Sequence, residues 1–394
     1  MTTNSLDDLV HIGATDPEAD AAPVALLRTR PDHGSRNGTA EPRHLSFREA
    51  RDAPCLSCES SPCCTHLLLA DFKLEHLLDV DYAQYLLNFE GIYLGLGQDM
   101  KVDVYLYQAC GFLGDNGLCG VHSTPAQPAV CISYKSQSCG YRRRMTVDVD
   151  PVRPLLDRRR LDWVAERMVF DDERRLLSGP EWDEIIEAFG YMPLERRQAR
   201  VPGPDPVRQE WRAITLGQKP AAASEAHRYG DAEVSHPCDG CGAWCCNTLV
   251  FNRGVPANAS QLDFLRYCLG FPAVEVGVSA DSWAVIVHTT CRHLDLGRCS
   301  VYGSDERPLR CGYYDALACD YRVHFGTPEP ADIVRVGLDQ FQDVAESIVF
   351  DENGMIRAIP PVDVLRGRLA GLLRARSAEA SQTSEQQESV ASCP

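Results

Sequence analysis

The feature that most constrains this chain is a set of cysteines that recurs in the same order in both halves of its 394 residues. The intervals between the last three cysteines of each set are 12 and 8 residues in both halves, and the long gap after each adjacent pair is 46 residues in the first half and 45 in the second. The recurring positions are Cys55, Cys58, Cys63, Cys64, Cys110, Cys119, Cys131 and Cys139 in the first half, and Cys238, Cys241, Cys245, Cys246, Cys291, Cys299, Cys311 and Cys319 in the second. The match indicates an internal duplication with a period of about 180 residues, far longer than a solenoid repeat, so each copy is expected to be a small domain.

Hydrophobic patterning predicts an α+β fold with equivalent elements in the two copies. Short apolar or alternating runs predict strands at residues 66–70, 102–107, 249–251 and 283–288, and apolar residues at helical spacing predict helices at 74–87 and 261–269. The expected architecture is two duplicated cysteine-cluster modules, each with short strands, one helix and loops organised by metal, together with a helical connector.

Composition and periodicity also predict the domain boundaries. Residues 1–50 are predicted to be a disordered tail, 51–147 the first module, 148–200 the helical connector, 201–235 a linker, 236–325 the second module, 326–376 a C-terminal extension of a strand and helices, and 377–394 a second disordered tail. The tails and the linker are rich in small, polar and charged residues, which do not supply a core.

The net charge of −17 limits the partners that the chain is expected to have. Without a Lys/Arg block or basic stripe, nucleic acid is not an expected partner. Apolar runs are far shorter than the roughly 20 residues of a membrane span, and residues 1–20 lack a signal-peptide pattern, so we expect no membrane partner and a cytoplasmic location. In a reducing cytosol, regularly spaced cysteines bind metal or carry redox chemistry more often than they form disulfides, which are the alternative interpretation.

The recurring cysteines suit a metal because thiolates are soft ligands for Zn²⁺ and for iron–sulfur clusters. The Cys-x-x-Cys spacing of Cys55 and Cys58, repeated at Cys238 and Cys241, brings two sulfurs together in one tight turn. Neighbouring side chains diverge on strands and on helices, so each adjacent pair of cysteines is expected to divide between two sites. All sixteen recurring cysteines are therefore predicted to ligate metal ions, in zinc centres or, slightly favoured, in iron–sulfur centres.

Two cysteines and three histidines need separate interpretation. Cys268 and Cys393 have no cysteine counterpart in the first half. Cys268 is expected in the core as a small apolar residue, and Cys393 as an exposed free thiol. His236, His288 and His293 lie near predicted ligands and would complete a mixed Cys/His site, but hydrogen-bonded loop or core histidines are the favoured interpretation.

The second half contains the motif Cys238-x-x-Cys241-x-x-x-Cys245-Cys246, then Cys291, then Cys299-Ser-Val-Tyr302, then Arg307-Pro-Leu-Arg-Cys311, and finally Cys319. In these residues it resembles the YkgJ-type cysteine-cluster family, described as a zinc- or iron-chelating domain with a CxxCxxCC motif. The first half is the weaker match, since Gln127, His122 and Val130 replace Arg307, Tyr302 and Arg310. The resemblance implies a bound zinc or iron centre. Flagellin lysine N-methylases carry a related cysteine cluster, so it also implies an enzymatic alternative.

The leading hypothesis is a metal-binding protein with two sets of eight cysteines and a redox-related role. The alternative is a metal-dependent oxidoreductase, or a methylase-like enzyme that modifies a protein or small molecule bound between the modules. No Gly-rich phosphate loop, His-Glu-x-x-His motif or Cys-x-x-x-Cys-x-x-Cys radical motif supports this alternative. A third hypothesis is a scaffold in which metal replaces a core. The sequence identifies neither catalytic residues nor a protein or small-molecule partner.

Overall fold

The computed structural model describes residues 62–114, 119–122, 124–133, 154–200, 244–296, 298–312 and 333–372. Helices and antiparallel sheets occur throughout these ranges, which confirms the predicted α+β class. The predicted tails, 1–50 and 377–394, and the predicted linker, 201–235, lie outside the described residues. Within the described ranges, no helix combines the length and the apolar composition that crossing a bilayer requires.

Apart from the hairpin β10–β11 of the second half, the described elements of the two halves follow one another in the same order. The first half contains α1 (Pro62–Thr65), β1 (His66–Lys73), α2 (Leu77–Leu86), β2 (Ile92–Leu96), β3 (Lys101–Tyr107), α3 (Ala129–Ser133), β4 (Leu155–Leu156), α4 (Arg158–Ala165), β5 (Val169–Phe170), β6 (Leu176–Ser178) and α5 (Trp182–Tyr191). The second half contains α6 (Trp244–Asn247), β7 (Thr248–Asn252), α7 (Ala259–Leu269), β8 (Val274–Ser279), β9 (Trp283–His288), β10 (Leu294–Asp295), β11 (Arg298–Cys299), α8 (Leu309–Gly312), β12 (Ile333–Val336), α9 (Leu338–Ala345), β13 (Val349–Phe350), β14 (Ile356–Ala358) and α10 (362–372).

Two four-stranded antiparallel sheets form the framework. The first has the strand order β1-β3-β2-β4 and the second the order β7-β9-β8-β12, so the two sheets have the same topology. The edge strand β4 lies in the segment that the sequence predicted as a helical connector, and it pairs with β2. Its counterpart β12, in the predicted C-terminal extension, pairs with β8.

The sequence patterns did not predict β2 and β8, which lie inside each sheet. Every residue of β2 and all but the last residue of β8 are buried, so neither strand shows the alternation of a half-exposed strand. Each strand contains one closely packed glycine. A Cβ on Gly95 would lie 3.0 Å from the ring of Tyr105, and a Cβ on Gly277 would lie 2.7 Å from Cδ1 of Ile333. Glycine is favoured at both places because an added Cβ would press against a side chain of the next strand.

Helices α2 and α7 follow the first strand of each sheet, and polar caps set where they begin. The side chain of His76 accepts the N–H of Leu78, and Asp79 accepts the N–H of His76 at 2.8 Å. Asn258 accepts the N–H of Gln261 at 2.9 Å. These caps satisfy N–H groups that have no partner inside the helix. The predicted starts at 74 and 261 therefore differ from the observed starts by two or three residues.

The main hydrophobic core is shared by the two halves, although the sequence suggested a separate small domain for each copy. It includes Leu69 and Leu94 of the first sheet and Val276 and Trp283 of the second, all without solvent exposure. Across the boundary, the guanidinium of Arg253 donates a hydrogen bond to the carbonyl of Leu69. The two sheets therefore form one packed body.

A helix, a two-stranded hairpin and a second helix follow each sheet. They are α4, β5–β6 and α5 in the first half, and α9, β13–β14 and α10 in the second. The tripeptide Val169-Phe170-Asp171 recurs 180 residues later as Val349-Phe350-Asp351, the same separation as between Cys119 and Cys299. This repeated tripeptide was the available signal that the connector and the extension are counterparts.

Two glycines, one closely packed and one in open space, provide a test of the packing in the first half. Gly91 has φ +73°, and a Cβ there would lie 2.5 Å from the backbone nitrogen of Ala199, whereas Gly190 near the end of α5 has open space around it. We expect Gly91→Ala to lower the free energy of unfolding by about 2–3 kcal/mol, because it combines a left-handed conformation with a backbone clash. We expect Gly190→Ala to be neutral or to stabilise by up to about 1 kcal/mol. Urea denaturation measures the free energy of unfolding of both variants. An equal change in the two would contradict the close approach of the backbone at Ala199 to Gly91.

Candidate metal centres

Ten of the sixteen predicted ligands lie in the described residues, five in each half. They are Cys63, Cys64, Cys110, Cys119 and Cys131, and Cys245, Cys246, Cys291, Cys299 and Cys311. The other six lie outside the described residues and are Cys55, Cys58, Cys139, Cys238, Cys241 and Cys319. Each of the ten described ligands is partly buried and has a free thiol. Within the described residues, therefore, none of them forms a disulfide.

The adjacent cysteines of each half lie on one helical turn directly before the first strand. In α1 the Sγ atoms of Cys63 and Cys64 are 4.0 Å apart, and in α6 those of Cys245 and Cys246 are 3.9 Å apart. Two sulfurs bound to one tetrahedral zinc ion at about 2.3 Å are separated by about 3.8 Å. The observed separation fits one shared ion. The geometric reason for expecting each pair to divide between two sites does not hold, because these neighbours do not diverge.

Strand pairing brings a third cysteine to each adjacent pair. Strand β1 pairs with β3, and β7 with β9. Just beyond β3, the backbone N–H of Cys110 donates to the carbonyl of Cys64 at 2.7 Å. Just beyond β9, the N–H of Cys291 donates to the carbonyl of Cys246, also at 2.7 Å. The third cysteine of each half is thus fixed beside the pair by the backbone.

Each of the remaining described cysteines lies on a short helix or takes part in a strand pairing or an isolated bridge. Cys131 lies on α3 and Cys311 on α8, each a short helix of four or five residues. Cys299 lies in β11, and Cys119 forms an isolated antiparallel bridge with Leu113. Hydrogen-bonded backbone therefore positions these cysteines too.

The thiols of each half act on one another electrostatically. Burial raises the pKa of Cys131 well above its ordinary value, and the neighbouring thiols of Cys63, Cys110 and Cys119 raise it further. Burial likewise raises the pKa of Cys110 to about 12 and that of Cys311 to about 12. Near neutral pH these thiols are protonated in the metal-free chain, so metal binding has to release their protons.

The thiols share a region without surrounding a single point. Among the residues that the structure describes, no three His, Cys, Asp or Glu side chains are arranged to hold a metal ion. Electrostatic influence extends over roughly 10 Å, whereas a thiolate must lie about 2.3 Å from zinc. The thiols are therefore close enough to shift one another's pKa without three of them being close enough to bind one ion together. A full ligand set requires side-chain rotation or the predicted ligands outside the described ranges.

A positive charge lies beside the cysteines of the second half. The guanidinium of Arg307 stacks on the ring of Tyr302, 4.3 Å from its centroid, and donates to the carbonyl of Cys311. The counterparts of Arg307 and Tyr302 in the first half are Gln127 and His122. The substitution of an amide for a guanidinium removes this source of positive charge from the first set.

The adjacent pairs differ in the acidity of their first cysteine, chiefly through the hydrogen bond inside each pair. A hydrogen bond from Cys246 lowers the pKa of Cys245 to about 7, and the charge of Arg307 contributes to the lowering. In the first half, the hydrogen bond between Cys63 and Cys64 raises the pKa of Cys63, and burial raises it further. Cys245 is therefore more acidic than its counterpart Cys63.

The side chains of His288 and His293 have partners other than the cysteine sulfurs. Nε2 of His288 lies 3.0 Å from the buried carboxylate of Glu275. Nε2 of His293 accepts a hydrogen bond from Arg292 at 3.2 Å, and burial, together with the arginine charge, lowers the pKa of His293. Both have the partners expected of core or loop histidines. His236 lies outside the described residues.

The position of Cys268 confirms that it is a core residue. It is fully buried on α7, and burial raises its pKa to about 12. Its surroundings are the apolar side chains of the shared core. Cys393 lies outside the described residues.

A groove of about 670 Å³ lies mainly on the first half and includes Arg292 of the second half. The loop of residues 87–93, helix α4 and Arg292 line it. Arg292 directly follows Cys291, and its backbone N–H donates to the carbonyl of Asn88 at 2.8 Å. The groove therefore reaches the boundary between the halves next to a predicted ligand.

Comparison of the chain with protein-family models, curated proteins and solved structures gave no match. The resemblance to the YkgJ-type family rests on the quoted residues alone and stays a prediction. The same holds for the zinc- or iron-binding role and for the enzymatic alternative that it implies.

The difference between the adjacent pairs is testable in the chain freed of metal by a chelator under reducing conditions. Iodoacetamide reacts with thiolates and not with thiols. Because the pKa of Cys245 is about 7 and that of Cys63 is raised, we expect Cys245 to be alkylated faster at about pH 7.5, by roughly tenfold or more. Its rate should fall as the pH drops below about 7, since protonation removes the thiolate. Peptide mass spectrometry after a short pulse measures both rates.

The matched variant is Arg307→Gln. It places beside the second cysteine pair the same residue type that Gln127 provides in the first half. It should raise the pKa of Cys245 and slow its alkylation, because the nearby positive charge is lost. An unchanged alkylation rate at Cys245 in Arg307→Gln would contradict the assigned role of Arg307.

Proposed function

We propose that this chain is a metal-binding protein with one thiolate centre in each of two duplicated halves. The observation that carries the proposal is the pair of neighbouring sulfurs, 4.0 Å apart at Cys63 and Cys64 and 3.9 Å apart at Cys245 and Cys246. Such a separation matches the edge of a tetrahedral four-thiolate site. The shared order and nearly equal intervals of the cysteines, together with the shared strand order of the two sheets, support the duplication.

The chemistry of the donors fits a metal better than it fits disulfides. The ten described ligands are free thiols, and most of them have a pKa raised by burial and by one another. A protein with unpaired, clustered thiols belongs in a reducing compartment, so the proposal includes a cytoplasmic location. When bound, the metal supplies a cross-link between segments that are remote in sequence.

Zinc is the metal that the adjacent pairs favour. In a four-iron cluster each iron takes one cysteine, so the sulfurs of the cysteines stand further apart than one tetrahedral edge. A zinc ion, or an iron of a two-iron cluster, takes two neighbouring thiolates. We therefore propose zinc, with a two-iron cluster as the redox-active alternative.

A metal-dependent oxidoreductase or modifying enzyme is the second candidate, and the groove beside Arg292 supports it. A substrate in that groove would lie at the boundary of the halves, close to the segment of Cys291. The enzyme requires an open metal position, whereas a structural zinc site is closed by four protein ligands. Chelation that unfolds the chain favours the structural role. Loss of substrate conversion in Cys311→Ser, with the fold intact, favours the enzyme.

Metal analysis of the full chain purified without oxygen tests the proposal. We expect a colourless protein with about one zinc ion per half, as for four-thiolate sites. Cys131→Ser and Cys311→Ser should each lower the zinc content by about one equivalent, because each removes a thiolate from one half. The control Cys268→Ala, which alters the core cysteine, should retain both equivalents. Inductively coupled plasma mass spectrometry measures the content.

Two outcomes decide against this proposal. A chain that carries no stoichiometric metal contradicts metal binding, and an equal loss of zinc from Cys268→Ala contradicts the assignment of the ligands. A brown protein with iron and sulfide in place of zinc selects the iron–sulfur alternative.

A further inference from the structure

We infer that each thiolate centre is positioned by the opposite half of the chain, with Asp81 and Tyr267 as positioning residues. The inference rests on the proposed metal-binding function and adds what holds the ligands in place. Its basis is a reciprocal set of hydrogen bonds, in which helix α2 contacts the cysteine segments of the second half and helix α7 those of the first.

Asp81 on α2 holds the turn that carries Cys311. Its Oδ1 accepts the N–H of Leu309 at 2.8 Å, and its Oδ2 accepts the N–H of Arg310 at 3.1 Å. These are the first two N–H groups of α8, and the first N–H groups of a helix have no partner inside it. The carboxylate therefore fixes the start of the turn two residues before the ligand.

A second contact between the same elements supports this placement. The guanidinium of Arg310 lies over the ring of Tyr82 at 4.6 Å and over that of Tyr85 at 5.9 Å from their centroids. Both tyrosines belong to α2, and a cation over an aromatic face is attracted to it. The backbone and the side chain of Arg310 are thus both held by the first half.

Asp263 on α7 makes the reciprocal contact with the turn that carries Cys131. Its Oδ2 accepts the N–H of Ala129, the first residue of α3, at 2.6 Å. Asp263 occupies the position of Asp81 in the cysteine alignment, and Ala129 that of Leu309. Asp263 is buried and ion-paired to Arg266 at 2.6 Å. The second half therefore supports the first in the same way.

Backbone contacts complete the exchange at the third cysteine of each half. The N–H of Gly111, which follows Cys110, donates to the carbonyl of Gly270 at 2.8 Å. The N–H of Arg292, which follows Cys291, donates to the carbonyl of Asn88 at 2.8 Å. Gly270 and Asn88 lie just beyond α7 and α2 respectively. The same two helices thus carry both kinds of contact.

Tyr267 adds a contact at the adjacent pair of the first half. Its hydroxyl group donates to the carbonyl of Cys63 at 2.7 Å. Helix α7 and the residue after it therefore hold the first half at Cys63, next to Cys110 and near Cys131. A change on one of these helices should weaken metal binding in the opposite half.

The test uses full-length chains in which one centre has been disabled. Cys131→Ser leaves the second centre intact and Cys311→Ser leaves the first, so zinc affinity at each is measured separately by competition with a chromogenic chelator. We expect Asp81→Ala to weaken the second centre by about tenfold or more, the scale of a hydrogen-bonded charge, and the first by less than about twofold. Tyr267→Phe, which removes only a hydroxyl, should weaken the first centre by about fivefold and spare the second.

Asp79→Ala is the matched control for Asp81→Ala. Asp79 lies on the same helix and accepts the N–H groups of Glu75 and His76 at 3.0 and 2.8 Å, which are contacts inside the first half. Its loss weakens α2 without removing a bond to the second half. Asp81→Asn keeps an acceptor oxygen and should give an intermediate affinity. Asp263 is left unchanged, because its removal would leave Arg266 buried without its ion pair.

Each outcome separates this inference from the proposed function. A loss of affinity in Asp81→Ala that is equal at both centres, confined to the first, or no larger than in Asp79→Ala would overturn the inference. If the unaltered chain binds zinc at two centres whose affinities do not depend on Asp81 or Tyr267, the inference alone fails. If the unaltered chain takes up no zinc, the proposed function fails and the inference with it.

Discussion

One backbone hydrogen bond in each half joins the sheet to the cysteines. Cys110 donates to Cys64, and Cys291 to Cys246, each at 2.7 Å. The bonds continue the antiparallel pairing of β1 with β3 and of β7 with β9, whose inward side chains belong to the shared core. Burial of these strands therefore sets the position of three cysteines in each half. A site ordered in this way loses less conformational entropy when a ligand binds.

Charge is where the two halves differ most. The second sheet contains a buried ion pair between Glu275 and Arg335 at 2.9 Å, and strand pairing puts Tyr93 and Leu155 at the corresponding positions of the first sheet. Beside the cysteines, the second half has Arg307 where the first half has the uncharged Gln127. The halves thus keep one topology and one cysteine pattern while their electrostatic environments differ. Under the proposed function, the two centres have unequal charge compensation.

The sequence was informative where a structural element leaves a local pattern. The strands β1, β3, β7 and β9 and the helices α2 and α7 were predicted close to their observed positions, because alternation and helical spacing are local signals. The strands β2 and β8 were missed because a strand buried along all or nearly all of its length shows no alternation, and because each contains a glycine.

The candidate site was predictable in composition and not in geometry. Cysteine spacing predicted a set of candidate ligands, but not that Cys63 and Cys64 bring their sulfurs within 4.0 Å of each other on a single helical turn. The contact of Asp81 with Leu309 joins residues more than two hundred positions apart, and no local pattern indicates such a contact. The arrangement of the halves depends on packing across their boundary, which a single sequence does not display.

X-ray absorption spectroscopy of the metal-loaded chain identifies the ligand atoms themselves. We expect a shell of about four sulfur atoms at about 2.3 Å from each metal ion. A shell of nitrogen and oxygen at about 2.0–2.1 Å, without sulfur, would contradict this expectation.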